Sequence, residues 1–178
     1  CALVHVPDLL LLDEPTTGVD AVSRREFWDL LDHLKASGMT IVASTPYMDE
    51  ANRCDRVALV QRGRLLMVDT PAAVAQSFDA PLFGVRAHDR YRVLCALRTF
   101  GHARSVYPFG EVLHYTDRRP TQRADEIAGD VTAFLGSKGF EGIAVDLISP
   151  TVEDTFIALM AASGESAELD RLAHKEKS

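Results

Sequence analysis

The sequence predicts an α/β fold, in which a parallel sheet with helices is followed by a small α+β domain. Three observations support this prediction. An apolar run of strand length, residues 9–12, ends at two carboxylates and a proline. A helical pattern and a second apolar run follow it with short connections, as in a crossover unit of a parallel sheet. Beyond residue 81 the order of predicted elements changes, which indicates a second domain.

The first predicted strand carries the candidate site at its end. Its four consecutive leucines are typical of a strand that is buried on both faces. Pro15 cannot donate to the sheet ladder, so the strand should end there and leave Asp13 and Glu14 at the carboxyl edge. Open α/β sheets bind ligands at that edge. The two carboxylates suit a magnesium nucleotide, one holding the hydrated metal and the other polarising a water. The alternative is a solvated acidic turn.

A helix and a second strand are predicted next. Asp20 is expected to cap the helix, which should end at the Ser-Gly pair of residues 37–38. Residues 39–43 form the second buried strand, which stops before Ser44 and Thr45. One apolar stripe of the helix should face the core, and its members are Phe27, Leu30, Leu31 and Leu34.

The remainder of the first domain is interpreted as structural. Residues 56–61 and 65–68 flank a turn at residues 62–63 and predict a hairpin. Pro71 should open a short helix. Asp49 and Glu50 are interpreted as an acidic helix start that favours the helix dipole, rather than as metal ligands.

The second domain is predicted to have the element order strand–helix–strand–strand–helix–strand, which suggests a ferredoxin-like α+β fold. The strands are expected at 82–87, 105–108, 112–116 and 142–148, the helices at 89–100 and 121–137, and a last helix at 152–162. Three histidines lack ligand spacing and are interpreted as surface or packing residues: His88, His102 and His114.

Two polar segments of this second half carry no predicted site. The pair Arg118-Arg119 beside Asp117 is interpreted as a solvated turn. Residues 164–178 form a polar tail that could be a frayed helix or a disordered segment.

Composition excludes several classes of function. The net charge is −7 and no basic stripe occurs, so nucleic acid is not expected as a partner. The cysteines at positions 1, 54 and 95 lack metal-ligand spacing and fit a reducing cytoplasm, with Cys54 and Cys95 interpreted as packing residues. Because no apolar run approaches the roughly 20 residues of a membrane span, a link to a membrane should come through a partner protein.

Several motifs together resemble one family. Residues 9–15 (LLLLDEP) and 16–20 (TTGVD) are similar to the Walker B and D-loop region of ABC transporter ATPase subunits. Residues 43–74, beginning ASTPYMDEA, resemble the switch region and the elements that follow it, and residues 1–8 resemble the helix after the signature motif. The sequences of these motifs are most similar to those of export-type subunits. Residues 150–160 (PTVEDTFIALM) resemble the close of the accessory domain of such exporters.

The resemblance implies a partial P-loop NTPase sheet, the cofactors ATP and Mg²⁺, and roles for particular residues. Asp13 matches the Walker B aspartate, which holds Mg²⁺ through water, and Glu14 matches the catalytic glutamate. Gly18 and Asp20 match the D-loop, which joins two ATPase domains around the nucleotide, although Asp20 could be only a helix cap.

The switch region departs from the family pattern. After Thr45 the family usually has a histidine that senses the γ-phosphate, whereas this chain has Pro46. Proline has no side-chain donor, so the resemblance implies slow turnover or pairing with a more complete partner domain.

Two family motifs are absent from the sequence. No G-x-x-x-x-G-K-[ST] loop, which cradles phosphates, and no LSGGQ-like segment occurs. The expectation is a carboxyl-terminal part of a longer subunit, divided into an ATPase part at 1–80, an accessory domain at 81–163 and a tail at 164–178. The parent should be an ATPase, and this chain alone should be inactive.

The predicted function is that of an ATP-binding and ATP-hydrolysing subunit of an ABC export transporter. The implied partners are membrane-spanning permease subunits and a second ABC ATPase domain, at the cytoplasmic face of the membrane. Two alternatives stay open. One is a relative that serves DNA repair or the ribosome, and the other is a non-catalytic regulatory or interaction module with an inactive nucleotide-domain remnant.

Overall fold

The computed structural model describes residues 7–119 and 121–162, which form an α/β fold of eight strands and six helices. These residues divide into two compact units. The first contains the described residues up to Ala75 and those from Thr155 onward, and the second contains Gln76–Asp154. The interpretations of Cys1 and of residues 1–6, and the polar tail predicted at 164–178, lie outside the described residues.

The first unit opens with the predicted strand–helix–strand order. Its elements are β1 (Leu9–Asp13), α1 (Ala21–Ala36) and β2 (Thr40–Ser44). The two strands pair in parallel, with Leu9 opposite Thr40 and Asp13 opposite Ser44. Both strands therefore end at the same edge of the sheet, as the sequence predicted.

Burial of β1 differs from the prediction. Leu10 packs with Trp28, Leu31 and Met39 in a small core, while the side chains of Leu9 and Leu11 are 51% and 68% exposed. Alternate residues of a strand point to opposite faces, so among the described residues only the α1 side of this sheet is covered. The prediction of a strand buried on both faces is wrong for this part of the chain.

Helix α1 begins as predicted. The carboxylate of Asp20 accepts hydrogen bonds from the backbone N–H groups of Val22 and Ser23, at 3.0 and 3.1 Å. The predicted apolar stripe is only partly right, because Leu30 is exposed and Trp28 is buried in its place. Leu30 lies about 100° around the helix from Leu31, which turns it away from the core.

The rest of the first unit is a short helix, a hairpin and a second short helix: α2 (Met48–Ala51), β3 (Val57–Gln61), β4 (Arg64–Asp69) and α3 (Pro71–Gln76). The hairpin pairs antiparallel and turns at Arg62 and Gly63, whose φ angles are +47° and +74°. Two consecutive positive φ angles are typical of the tight turns that match strand twist. Thr70 caps α3 by accepting the N–H of Ala73.

The second unit contains β5 (Leu82–Arg86), α4 (Arg90–Arg98), β6 (Ala103–Phe109), β7 (Val112–Asp117), α5 (Ala124–Ser137) and β8 (Ala144–Ile148). The four strands form an antiparallel sheet in the order β6-β7-β5-β8. Its core is apolar and includes Phe83, Val93, Leu97, Tyr115, Ile127, Val131 and Leu135.

The last helix, α6 (Val152–Ala162), has the bounds that the sequence predicted. Its first residues belong to the second unit, and from Thr155 it belongs to the first. Within the first unit, Oγ1 of Thr155 donates to the carbonyl of Val74 at 2.9 Å. The domain division that places its boundary at residue 81 stays a prediction.

Two polar groups of the second unit are buried. Asp117 is 5% exposed and accepts hydrogen bonds from Tyr115 and Arg119, so the interpretation of this segment as a solvated turn is wrong for Asp117. His114 is 3% exposed and its Nδ1 lies 2.6 Å from Oδ1 of Asp154, whereas His88 and His102 are exposed.

None of the helices among residues 7–119 and 121–162 has the length and apolar character needed to cross a bilayer.

Candidate functional site

The candidate site lies where β1 and β2 end side by side. Oγ of Ser44 donates to Oδ1 of Asp13 at 2.5 Å and accepts the backbone N–H of Glu14 at 2.9 Å. The carbonyl of Ser44 also lies 3.1 Å from the Glu14 nitrogen. One serine therefore contacts both predicted site residues, and both carboxylates remain exposed.

Glu14 adopts a backbone conformation that side chains rarely take. Its φ angle is +45°, and the left-handed region costs a residue with a Cβ roughly 1–2 kcal/mol. The hydroxyl of Thr17 donates to Oε2 of Glu14 at 3.1 Å. Such strained positions cluster at functional sites, where the surrounding structure holds them.

The turn after these acids begins buried and ends exposed. Thr16 is 1% exposed, whereas Gly18 and Asp20 are exposed. Gly18 has a φ of +77° with open space where a Cβ would lie, so backbone conformation rather than crowding favours glycine there. A hydrogen bond from the Ser23 side chain lowers the pKa of Asp20, and the backbone N–H of Ser23 adds to the effect.

The switch segment that follows β2 is held by the hydroxyl of Thr45. Oγ1 of Thr45 donates to Oε2 of Glu50 at 2.6 Å and accepts the backbone N–H of Tyr47 at 3.1 Å. Pro46 between them is exposed. The guanidinium of Arg24 lies over the ring of Tyr47, 4.0 Å from its centroid, which connects this segment to α1.

Glu50 is the residue of the site that the sequence prediction missed. It is 2% exposed and accepts a second hydroxyl hydrogen bond, from Thr16 at 2.7 Å. Nε of Arg24 lies 3.5 Å from the same oxygen. Asp49 and Glu50 do lie in the first turn of α2, as the sequence predicted, but Glu50 is buried whereas Asp49 is exposed. A four-residue helix has no periodicity that could have marked its buried side.

The donor set suits a water-coordinated Mg²⁺ better than a metal held by protein alone. Across the described residues, no three His, Cys, Asp or Glu side chains converge on one point. Mg²⁺ keeps several waters and usually takes one or two carboxylates. Asp13, with its exposed carboxylate, could provide one such ligand, and Glu14 follows it at the same edge.

No protein-family model matches the chain, but comparison with curated proteins finds clear relatives. The chain is 30% identical over 183 residues to the daunorubicin/doxorubicin resistance ATP-binding protein DrrA of Streptomyces peucetius. This alignment covers 99% of this chain and 53% of that protein. It is 29% identical over 160 residues to the Nod factor export ATP-binding protein I of Mesorhizobium japonicum, covering 89% of this chain and 44% of the relative.

A shorter alignment with a third relative has a higher sequence identity. The chain is 51% identical over 71 residues to the probable multidrug ABC transporter ATP-binding protein YbhF of Escherichia coli, which covers 40% of this chain and 12% of that protein. The chain thus spans at most about half the length of these three relatives.

Proposed function

This chain is a homologue of ABC transporter ATP-binding proteins, and from that premise we propose that it supplies hydrolytic residues to an ATPase subunit of an export transporter. The observation that carries the proposal is the joint attachment of Asp13 and Glu14 to Ser44 at the carboxyl edge of two parallel strands. That edge is where open α/β sheets bind ligands.

Each carboxylate has a distinct proposed role. Asp13 holds Mg²⁺ through water, and its bond to Ser44 fixes one oxygen while the side chain stays exposed. Glu14 orients or deprotonates the water that attacks the γ-phosphate. Its left-handed backbone turns the side chain away from the direction that a continuing strand would give it.

The exposed turn and the switch segment have proposed roles at a shared interface. Gly18 and Asp20 face a second ABC ATPase domain, and Thr45 with Pro46 lies near the γ-phosphate. Because Pro46 offers no side-chain donor, turnover at this site is slow or depends on a more complete partner domain.

The finer fold assignments are part of the same proposal. β1 and β2 belong to a P-loop NTPase sheet, and the second unit is a ferredoxin-like accessory domain. The element order of that unit and its antiparallel sheet order support the assignment. The partners are membrane-spanning permease subunits, and the subunit works at the cytoplasmic face of the membrane.

The test measures ATP hydrolysis by the natural gene product that contains this chain. Glu14→Gln keeps the shape of the side chain but removes the base, so we expect kcat to fall about 100-fold or more while ATP still binds. Asp13→Asn should weaken the dependence on Mg²⁺. Glu26→Gln, on the exposed surface of α1, is the matched control and should keep the parent rate. Hydrolysis at the parent rate by Glu14→Gln would refute the proposal.

The 178-residue chain alone is proposed to be inactive, because no G-x-x-x-x-G-K-[ST] loop occurs in it. We expect it to bind ATP weakly at best, and micromolar binding in a calorimetric titration would contradict this. The missing loop and Pro46 also favour the second candidate function, a regulatory or interaction module. Under that alternative, Glu14→Gln leaves every measured activity of the gene product unchanged.

A further inference from the structure

The carboxylate of Glu50 joins two segments of the candidate site that are far apart in sequence. Thr16, which donates to Oε1, precedes it by 34 residues, and Thr45, which donates to Oε2, precedes it by 5. Glu50 and Thr16 are 2% and 1% exposed, so their hydrogen bond is shielded from water.

A buried carboxylate is stable only when its charge is compensated. Glu50 receives two O–H hydrogen bonds of the short, charge-assisted kind. The guanidinium of Arg24, whose Nε is 3.5 Å from Oε1, supplies an opposite charge on the same side. These three groups come from the turn after β1, from α1 and from the end of β2. The carboxylate therefore fixes three elements of the first unit at once.

Glu50 also closes a ring of contacts around the two acids. At one end, Ser44 bonds to Asp13 and to the backbone of Glu14. At the other end, the next residue, Thr45, reaches Thr16 through Glu50. Residues 13–16 and 44–45 are thus joined at two points, and a two-point attachment fixes orientation as well as distance.

The hydroxyl of Thr45 donates its single proton to Glu50, and this hydrogen bond orients the lone pairs of the Thr45 oxygen. One of them accepts the backbone N–H of Tyr47, so the conformation of residues 45–47 follows from the position of the carboxylate. This matters because Pro46 has no side-chain donor or acceptor whose hydrogen bond could fix the segment.

We propose that Glu50 is a positioning residue that couples the turn at residues 16–20 to the switch segment at residues 44–47. The consequence for hydrolysis rests on the proposed function, whereas the coupling itself does not. A change in either segment is transmitted to the other through one buried carboxylate.

Hydrogen exchange measured by mass spectrometry on the 178-residue chain tests the coupling without nucleotide. Glu50→Gln should raise amide exchange about tenfold in both segments, because it removes the charge that holds the two hydroxyls. Asp49→Asn, an exposed neighbour on α2, is the matched control and should leave both unchanged. Thr45→Val should raise exchange in residues 16–20 as well as locally, which a purely local packing role would not produce.

The exchange experiment tests the coupling independently of the proposed function, whereas a kinetic measurement tests its consequence for hydrolysis. In the natural gene product, Glu50→Gln should lower kcat about tenfold while KM for ATP changes less than about twofold, since positioning rather than binding is lost. Exchange in both segments that equals the Asp49→Asn control would overturn the coupling. So would an increase that is equally large in β5 of the second unit, which reports general destabilisation. If Glu50→Gln unfolds the first unit, Thr45→Val carries the test, because Thr16 and Arg24 still compensate the carboxylate.

Discussion

The hydroxyl of Ser44 donates a hydrogen bond to the carboxylate of Asp13, between the last residues of two parallel strands and at an oxygen–oxygen distance of 2.5 Å. Because the same hydroxyl oxygen accepts the N–H of Glu14, one small side chain sets the direction of both acids. The geometry of the candidate site therefore depends on an uncharged residue next to the two acids.

Replacement of Ser44 by alanine should destabilise the first unit. Two hydrogen bonds are lost at a partly solvated site, so we expect the free energy of unfolding to fall by about 1–2 kcal/mol. The measurement is urea unfolding followed by the fluorescence of Trp28, the single tryptophan, which lies in the first unit. Ser149→Ala, an exposed serine of the second unit, is the control. Equal effects of the two variants would show that the Ser44 bonds contribute nothing.

Glycine at position 14 should stabilise the chain while removing the candidate base. Glycine adopts the left-handed backbone of Glu14 without strain. The free energy gained by removing this strain exceeds the stability lost because glycine increases the conformational entropy of the unfolded chain. We expect the free energy of unfolding to rise by about 0.5–1 kcal/mol. In contrast, Glu26→Gly within α1 should lower it by about 1 kcal/mol. A loss of stability in both variants would contradict the interpretation of Glu14 as strained.

The two described cysteines should differ in reactivity. Cys54 packs against the small core of the first unit, and burial raises its pKa, whereas Cys95 is exposed. We expect iodoacetamide at neutral pH to modify Cys54 at least about tenfold more slowly, since only the thiolate reacts. Peptide mapping by mass spectrometry identifies each site, and unfolding in urea should make the rates equal. The sequence-based interpretation as a packing residue is correct for Cys54 and wrong for Cys95.

Features that depend on neighbouring residues were predictable from the sequence. The Asp20 cap and the turn at residues 62–63 follow from local backbone chemistry, and both are observed. The parallel pairing of β1 with β2 follows from the strand–helix–strand order. Asp13 and Glu14 could be placed at the sheet edge because Pro15 limits the strand.

Features that depend on distant contacts were not predictable in this way. Buried Glu50 accepts a hydrogen bond from Thr16, which lies 34 residues away, and no local pattern encodes that contact. The burial of Asp117 likewise depends on the fold of the second unit, where Arg119 also reaches Asp130 on α5. The local sequence does not show which distant residues form hydrogen bonds with such acids, so their burial could not be predicted from it.

The buried carboxylate of Asp154 should make the second unit sensitive to acid. It is fully buried and accepts hydrogen bonds from Tyr107 at 2.6 Å and from the Thr151 hydroxyl at 2.6 Å, and it contacts Nδ1 of His114 at 2.6 Å. Burial by itself would raise the pKa of Asp154, but the bonds from His114, Thr151 and Tyr107 outweigh it and lower the pKa to about 2.

The direction of the pH dependence follows from this lowered pKa. Because the folded pKa of Asp154 lies below its ordinary value of 3.8, the carboxylate stabilises the fold fully above pH 3.8 and loses this contribution as the pH falls through about 2. At neutral pH, Asp154→Asn should lower the free energy of unfolding by roughly 2–4 kcal/mol, since it breaks a buried network. The difference from the parent should shrink steadily between pH 4 and pH 2. Near-ultraviolet circular dichroism of the tyrosines during urea titration measures it, with the exposed Asp125→Asn as control. A difference that stays constant with pH would mean that the charge of Asp154 does not stabilise the fold.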